Sequence, residues 1–351
     1  MGMGNDRRFA AINTKIRVLK SRLLKDQDYL NLIGKNSVSE QVIYLKDNTV
    51  YRDILCDILN FADIQQVELD LERYTISQFE KILRYFSDDY ERFFRTLMLR
   101  YEVEDLKIYL RAVGRDEEIA RKVCFINDNH YSFDCNKLIT SSNIHELIEN
   151  LKGTIFYDVL KPYQNEEDAK IIFYMEMNLD RLYFKELKDQ SLNLGYLDKK
   201  IFEDILGENV DLLNIEWIYR GLKFYNLLPE ELINYTLPNG SVFNYNQLKE
   251  MCYSDVEKIK EIVLNTKYSF LFEADKDIDL YMEIKIERYL YNKFKIAFKK
   301  GKLDLAVSIA YIHLLEFEIR DIISILESKR YGLTLEDTVE YLIREVKGSD
   351  I

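Results

Sequence analysis

Apolar residues recur at helical spacing along almost the whole chain. The first clear stripe, Ile16, Leu19, Leu23 and Leu24, opposes a face of lysines and arginines and predicts an amphipathic helix over about 13–32. A loop around Gly34-Lys35-Asn36-Ser37 follows, then a short element whose pattern occurs three times: Thr49-Val-Tyr51-Arg-Asp53-Ile-Leu55, Thr154-Ile-Phe156-Tyr-Asp158-Val-Leu160 and, more loosely, Thr266-Lys-Tyr268-Ser-Phe270. After each comes a helix carrying E-h-x-h-[E/D]-R, where h is apolar: Glu68-Leu-Asp-Leu-Glu-Arg73, Glu176-Met-Asn-Leu-Asp-Arg181 and Glu283-Ile-Lys-Ile-Glu-Arg288, spaced 108 and 107 residues apart.

A further helix in each repeat carries an acid followed three residues later by Asp or Asn: Glu102 and Asp105, Asp211 and Asn214, Glu318 and Asp321. The interval from Arg181 to Asn214 equals that from Arg288 to Asp321, at 33 residues, so the register is held. Residues three apart share a helix face, which leaves Leu106, Ile215 and Ile322 for the apolar side. These nine residues are the module-fixing candidates, and the expectation is that Arg73, Arg181 and Arg288 each reach the acid of their own repeat, Glu102, Asp211 and Glu318. Repeats end in a break and an acid-led helix start, at Gly114-Arg-Asp116-Glu117-Glu118, Leu228-Pro229-Glu230-Glu231 and Gly332-Leu-Thr334-Leu-Glu336-Asp337, where the acids suit the helix dipole and Thr334 with Asp337 suggests a capping box.

The repetition predicts a basic N-terminal helical extension over 1–23 and three homologous helical modules over 24–131, 132–238 and 239–351. A residue doing unique chemistry has no reason to appear in every copy, so the pattern points to an architectural part. With 3 Pro and 12 Gly among 351 residues that are 47% hydrophobic, long helices with short connections are expected throughout, and the fold class is all-α.

Net charge is −12, which opposes phosphate backbones and argues against nucleic-acid binding. The layout is uneven: residues 1–25 hold seven basic side chains against Asp6, and a second basic run is Lys293, Lys295, Lys299, Lys300 and Lys302. Both read most simply as solvated helix faces; contact with anionic lipid or an acidic partner is the functional alternative. The longest apolar segment, Leu305 to Leu315, is far short of the roughly 20 residues that cross a bilayer, and no secretory signal opens the chain.

Catalytic signatures are missing from the sequence. Gly34-Lys35 lacks the earlier glycine and the Ser/Thr of a phosphate loop, and Asp88-Asp89-Tyr-Glu91 breaks the aspartate-rich magnesium motif at Arg92. Cys56, Cys124, Cys135 and Cys252 have no metal-ligand or disulfide spacing, and His130, His145 and His313 have no close ligand partner, so no metal or cofactor is expected and His313 reads as a satisfied core histidine.

The repeats, the basic segment Asn13-x-Lys15-x-Arg17-x-Leu19-x-Ser21-Arg22-Leu23-Leu24 and the tail Leu314-Leu-Glu316-Phe-Glu318-Ile-Arg-Asp321 onward to Gly332-Leu-Thr together resemble the C subunits of the bacterial and archaeal V/A-type ATPases, counterparts of the eukaryotic d subunit. The tail is similar to that family's closing E-x-E-x-x-[N/D] helix, with Asp321 standing where Asn is expected. The resemblance implies a funnel of three modules about a pseudo-threefold axis. It also implies a non-catalytic central-stalk part that joins the membrane proteolipid ring to the D and F stalk subunits for proton or sodium transport. Such a part would be peripheral at the cytoplasmic face of the plasma membrane, with no spanning segment of its own. The competing reading is a cytoplasmic helical-repeat scaffold for protein–protein interaction.

Overall fold

A computed structural model describes residues 4–56, 63–115, 132–165, 170–273 and 278–346, and among them every regular element is helical. The chain opens with α1 (Asn5–Lys20), followed by three short helices, α2 (Asp26–Ile33), α3 (Val38–Asn48) and α4 (Arg52–Leu55), and two long ones, α5 (Ile64–Leu83) and α6 (Asp88–Gly114). The order of short pieces before a long pair then recurs. The second set is α7 (Cys135–Ile139), α8 (Ile144–Asn150) and α9 (Ile155–Leu160), then α10 (Ile171–Ser191) and α11 (Tyr196–Lys223), with α12 (Pro229–Tyr235) after the break. The third is α13 (Tyr245–Cys252), α14 (Val256–Leu264) and a 3-10 turn (Ser269–Leu271), then α15 (Ile278–Lys300) and α16 (Leu305–Arg330), with α17 (Leu335–Glu340) after the break.

The single opening helix expected over 13–32 is two helices. Ser21–Lys25 breaks it, and α2 begins where the Lys25 N–H donates to Asp28 Oδ2 at 2.8 Å. The break has a use: it frees the Leu24 N–H, which a continuous helix would have consumed, for a buried acceptor described below.

Threonine punctuates each short set in one way. Thr49, Thr154 and Thr266 each donate a hydroxyl proton to a carbonyl three or four residues back, Leu45, Leu151 and Val263. Each also accepts the N–H two residues on, from Tyr51, Phe156 and Tyr268. The hydroxyl thus ends one helical turn and starts the next, so the third copy keeps the geometry although its sequence has drifted.

The chain forms two compact units, one from residues 1–86 with 273–351 and one from 87–272. In the first, α16 is buried from Leu305 through Ile312 without interruption because α15, α5 and α1 pack around it. A helix apolar on every side needs such a surround, which accounts for the longest apolar run of the sequence. In the second unit α6 packs along α10, α9 covers α10, and α12, α13 and α14 pack on α11. The expected boundary at 23/24 falls in the break before α2 and that at 238/239 in the loop before α13; residue 131, the end of the first module, lies outside the described residues.

The acids of the E-h-x-h-[E/D]-R motif carry its cross-helix ties. On α10, Glu176 pairs with Arg111 of α6 at 2.5 Å and Asp180 with the buried Lys107 at 2.6 Å. On α15, Glu287 pairs with Arg320 of α16. On α5, Glu68 and Glu72 face the same helix: burial raises both pKa values, Glu72 to about 8, while Arg330 and Arg320 respectively oppose the rise.

Candidate functional site

The acid of each repeat sits on a long helix, is buried, and collects donors from outside that helix. Asp211, fully buried on α11, accepts the Val242 N–H at 2.7 Å, the Phe243 N–H at 3.2 Å and the Tyr268 hydroxyl at 2.8 Å. One turn on, Asn214 accepts the Leu237 N–H at 2.7 Å and donates to the Leu237 carbonyl at 2.9 Å. The loop can approach this closely because residue 240 is glycine: a Cβ there would collide with Asp211 Oδ1.

Glu318 and Asp321 on α16 do the same with the two ends of the chain. Glu318 accepts the Leu24 N–H and the Tyr51 hydroxyl, both at 2.8 Å. Asp321 accepts the Ile343 N–H at 2.6 Å, the Arg344 N–H at 3.1 Å and the Tyr29 hydroxyl at 3.2 Å. Arg344 completes the knot by donating to the Leu24 carbonyl at 2.7 Å and to Asp26 at 2.6 Å. In the first repeat Glu102 accepts both the N–H and the hydroxyl of Ser132, at 3.1 and 2.5 Å, and Asp105 is fully buried beside it on α6. Phe156 stands where the other repeats have Tyr51 and Tyr268, so serine supplies the hydroxyl.

These contacts explain why Asp321 replaces the expected Asn. Its partners are all donors, which only a carboxylate satisfies; Asn214 meets one donor and one acceptor on the same residue, which suits an amide. Burial raises the pKa of these four carboxyls against the pull of their donors, those of Glu318 and Asp321 to about 7, and those of Asp211 and Glu102 likewise upward.

The expected arginine pairs take another form. Arg288 donates to the carbonyls of Leu342 and Glu340, both at 2.9 Å, holding the C-terminal tail rather than Glu318. No ion pair joins Arg181 to Asp211 among the described residues, and Arg73 is exposed on α5. Where the acids are already satisfied by N–H and hydroxyl groups, a buried guanidinium would add a large desolvation cost. Sequence reasoning missed Leu24, Tyr29, Tyr51, Tyr268, Ser132 and Arg344. A signal existed: Phe156 and Tyr268 follow Glu102 and Asp211 by 54 and 57 residues, which leaves Tyr51, the remaining ring of that pattern, for Glu318.

The other candidate chemistry is absorbed by structure. Asp88 has φ 55° at the start of α6, and Asp89 and Glu91 pair with Arg92 and Arg95 on its exposed face. His313 stacks on Phe294 with centroids 4.2 Å apart and its Nδ1 lies 2.9 Å from Glu316 Oε2. Thr334 and Asp337 form the expected capping box. Cys56, Cys135 and Cys252 are free thiols, that of Cys252 pushed up to about 12 by burial. Among the described residues no group of three or more His, Cys, Asp or Glu is placed to hold a metal ion, and no helix is long and apolar enough to cross a membrane. His130, Cys124 and the acids Asp116, Glu117 and Glu118 lie outside the described residues.

Residues 12–341 match the ATP synthase (C/AC39) subunit family. The chain belongs to that family. The A-type ATP synthase C subunit of Methanocaldococcus jannaschii is 23% identical over 346 residues, covering 95% of this chain and 86% of its own length. The proteins of the same name from Methanobrevibacter smithii and Archaeoglobus fulgidus are 24% and 20% identical, over 91% and 97% of this chain and 83% and 97% of their own lengths.

Proposed function

We propose that this C/AC39 family member is a non-catalytic central-stalk subunit of a rotary V/A-type ATPase, coupling the rotor shaft to the membrane proteolipid ring. The observation that carries this reading is the family match along residues 12–341, and the relatives named as C subunits of A-type ATP synthases agree with it. In this reading three helical modules stand about a pseudo-threefold axis, one opening receives the D and F stalk subunits, and the other end rests on the ring at the cytoplasmic face. The recurrence of one buried clamp supports an architectural role: each acid is bound by backbone N–H and hydroxyl groups that set helix register. A part that transmits torque needs rigid helices and broad contacts more than a pocket.

Affinity purification of the tagged chain from its own cells tests this. Co-elution of stalk and proteolipid subunits is expected, and a deletion strain should retain ATP hydrolysis by detached catalytic heads without ion pumping. Unaltered ion transport in that strain would overturn the proposal.

A further inference from the structure

The two basic runs of the sequence meet in one place. Asn13 of α1 donates to the carbonyls of Lys302 and Asp304 at 2.8 and 3.2 Å, and Arg17 donates to the Gly301 carbonyl at 2.8 Å while its guanidinium lies over the Phe298 ring. Lys20, one turn further along α1, is close enough to Lys295 of α15 to feel its charge. Helix α1 is therefore strapped across the turn that joins α15 to α16, which brings its cations beside those at the end of α15.

Residues 4–25 and 293–304 together carry +10, with −22 on the remainder of the chain. The acids within these segments are Asp6 and Asp304, and Asp304 is turned inward to accept the Lys302 and Ala306 N–H groups. Lys15, Lys299, Lys300 and Lys302 are exposed and form no ion pair among the described residues. The same segments expose three apolar side chains, Val18 at 48%, Ile296 at 51% and Leu303 at 38%, one each on α1, α15 and the turn.

We propose that α1 and the α15–α16 turn form one cationic surface that docks on an anionic phospholipid bilayer. A protein partner needs a shaped patch with polar groups held in place, whereas these lysines are long, unpaired and scattered among single apolar residues. A headgroup layer accepts that arrangement: ammonium groups meet phosphates while short apolar side chains enter the acyl boundary below. The surrounding negative charge would confine the contact to this face.

The test uses the full-length protein and vesicles of phosphatidylcholine with or without phosphatidylglycerol, read by co-sedimentation. The protein should bind only the anionic vesicles and release as salt rises from about 0.05 to about 0.5 M. At roughly fivefold per basic residue, K299E/K300E/K302E should lose about 100-fold or more in affinity. Reversing Lys81, Lys200 and Lys249 instead, which lie on other helices, should leave binding within about twofold. Equal binding by both triple variants, or no binding to anionic vesicles at low salt, would overturn the proposal. Capture on polyglutamate without vesicle binding would also overturn it and assign the surface to an acidic polypeptide. The inference stands apart from the coupling role, since its failure leaves co-purification with stalk and ring subunits untouched.

Discussion

The Tyr51 hydroxyl donates to Glu318 Oε1 at 2.8 Å across 267 residues of chain, and the Tyr268 hydroxyl does the same for Asp211 within the other unit. Both rings are fully buried. Replacing either by phenylalanine removes a hydrogen bond to a carboxylate and leaves the packing, so each should cost about 1.5 to 3 kcal/mol in urea unfolding. Tyr253→Phe, whose hydroxyl meets the exposed Glu230, is the control and should cost less than about 0.5 kcal/mol.

Asp321 and Asn214 occupy matching positions but are not interchangeable. Asp321→Asn turns an amide N–H₂ toward backbone donors, and Asn214→Asp turns a carboxylate toward the Leu237 carbonyl. Each substitution should lower stability by about 2 to 3 kcal/mol, although a comparison of the repeats alone would rate both neutral.

Gly240→Ala should break the clamp on Asp211 while leaving the acid itself unsubstituted. The added Cβ forces the loop away, and the Val242 and Phe243 N–H groups lose their acceptor. A loss of about 2 to 4 kcal/mol is expected. In a double-mutant cycle Gly240→Ala and Asp211→Ala should cost clearly less together than the sum of the two, because both remove the same contacts.

Protonation of Glu318 and Asp321 should stabilise the fold by removing the cost of burying their charges, which outweighs the preference of their donors for the ionised form. The pKa values of Glu318 and Asp321 rise from 4.5 and 3.8 to about 7 in the folded state, chiefly through burial, so the native chain binds more protons than the unfolded one between about pH 4 and 7. Their contribution is fully present below about pH 4 and is lost as pH rises through 7. The fall amounts to about 3 to 4 kcal/mol for a single such group. Unfolding of Glu318→Gln measured across that window should show a shallower decline than the parent.

Lys107 and Asp180 lock α6 to α10. Burial raises the Asp180 pKa to about 6 even with Lys107 beside it. Lys107→Met removes that opposing charge, so Asp180 ionises only at greater cost. The variant should lose about 3 to 5 kcal/mol at pH 8 and distinctly less at pH 5, where the carboxyl protonates. Equal losses at both pH values would contradict this account.

The helical class, the long helix pairs and the acid positions were legible because they rest on periodicity and repetition, which survive drift. The partners of those acids were not. Backbone N–H groups carry no sequence signature, so nothing marked Leu24, Val242 or Ile343 as donors. The obvious complement of an acid, an arginine at a repeated spacing, misled for a related reason: Arg288 satisfies carbonyls of the C-terminal tail, which are equally silent in the sequence. The break at Ser21–Lys25 was likewise hidden, because its residues continue the apolar stripe and only a distant carboxylate explains it.

The dependence of Leu24 and Tyr51 on Glu318 has a consequence for biogenesis. A growing polypeptide made at about 5 to 20 residues per second must wait roughly 13 to 53 s between exposing Tyr51 and delivering Glu318. Residues 87–272 emerge uninterrupted and can fold as they appear, while the earliest segment stays unfinished until translation is nearly over. Ribosomes that stall or terminate before α16 therefore release a product with one completed unit and an N-terminal helix whose apolar stripe lacks its seat, the form a cell's quality control would meet first.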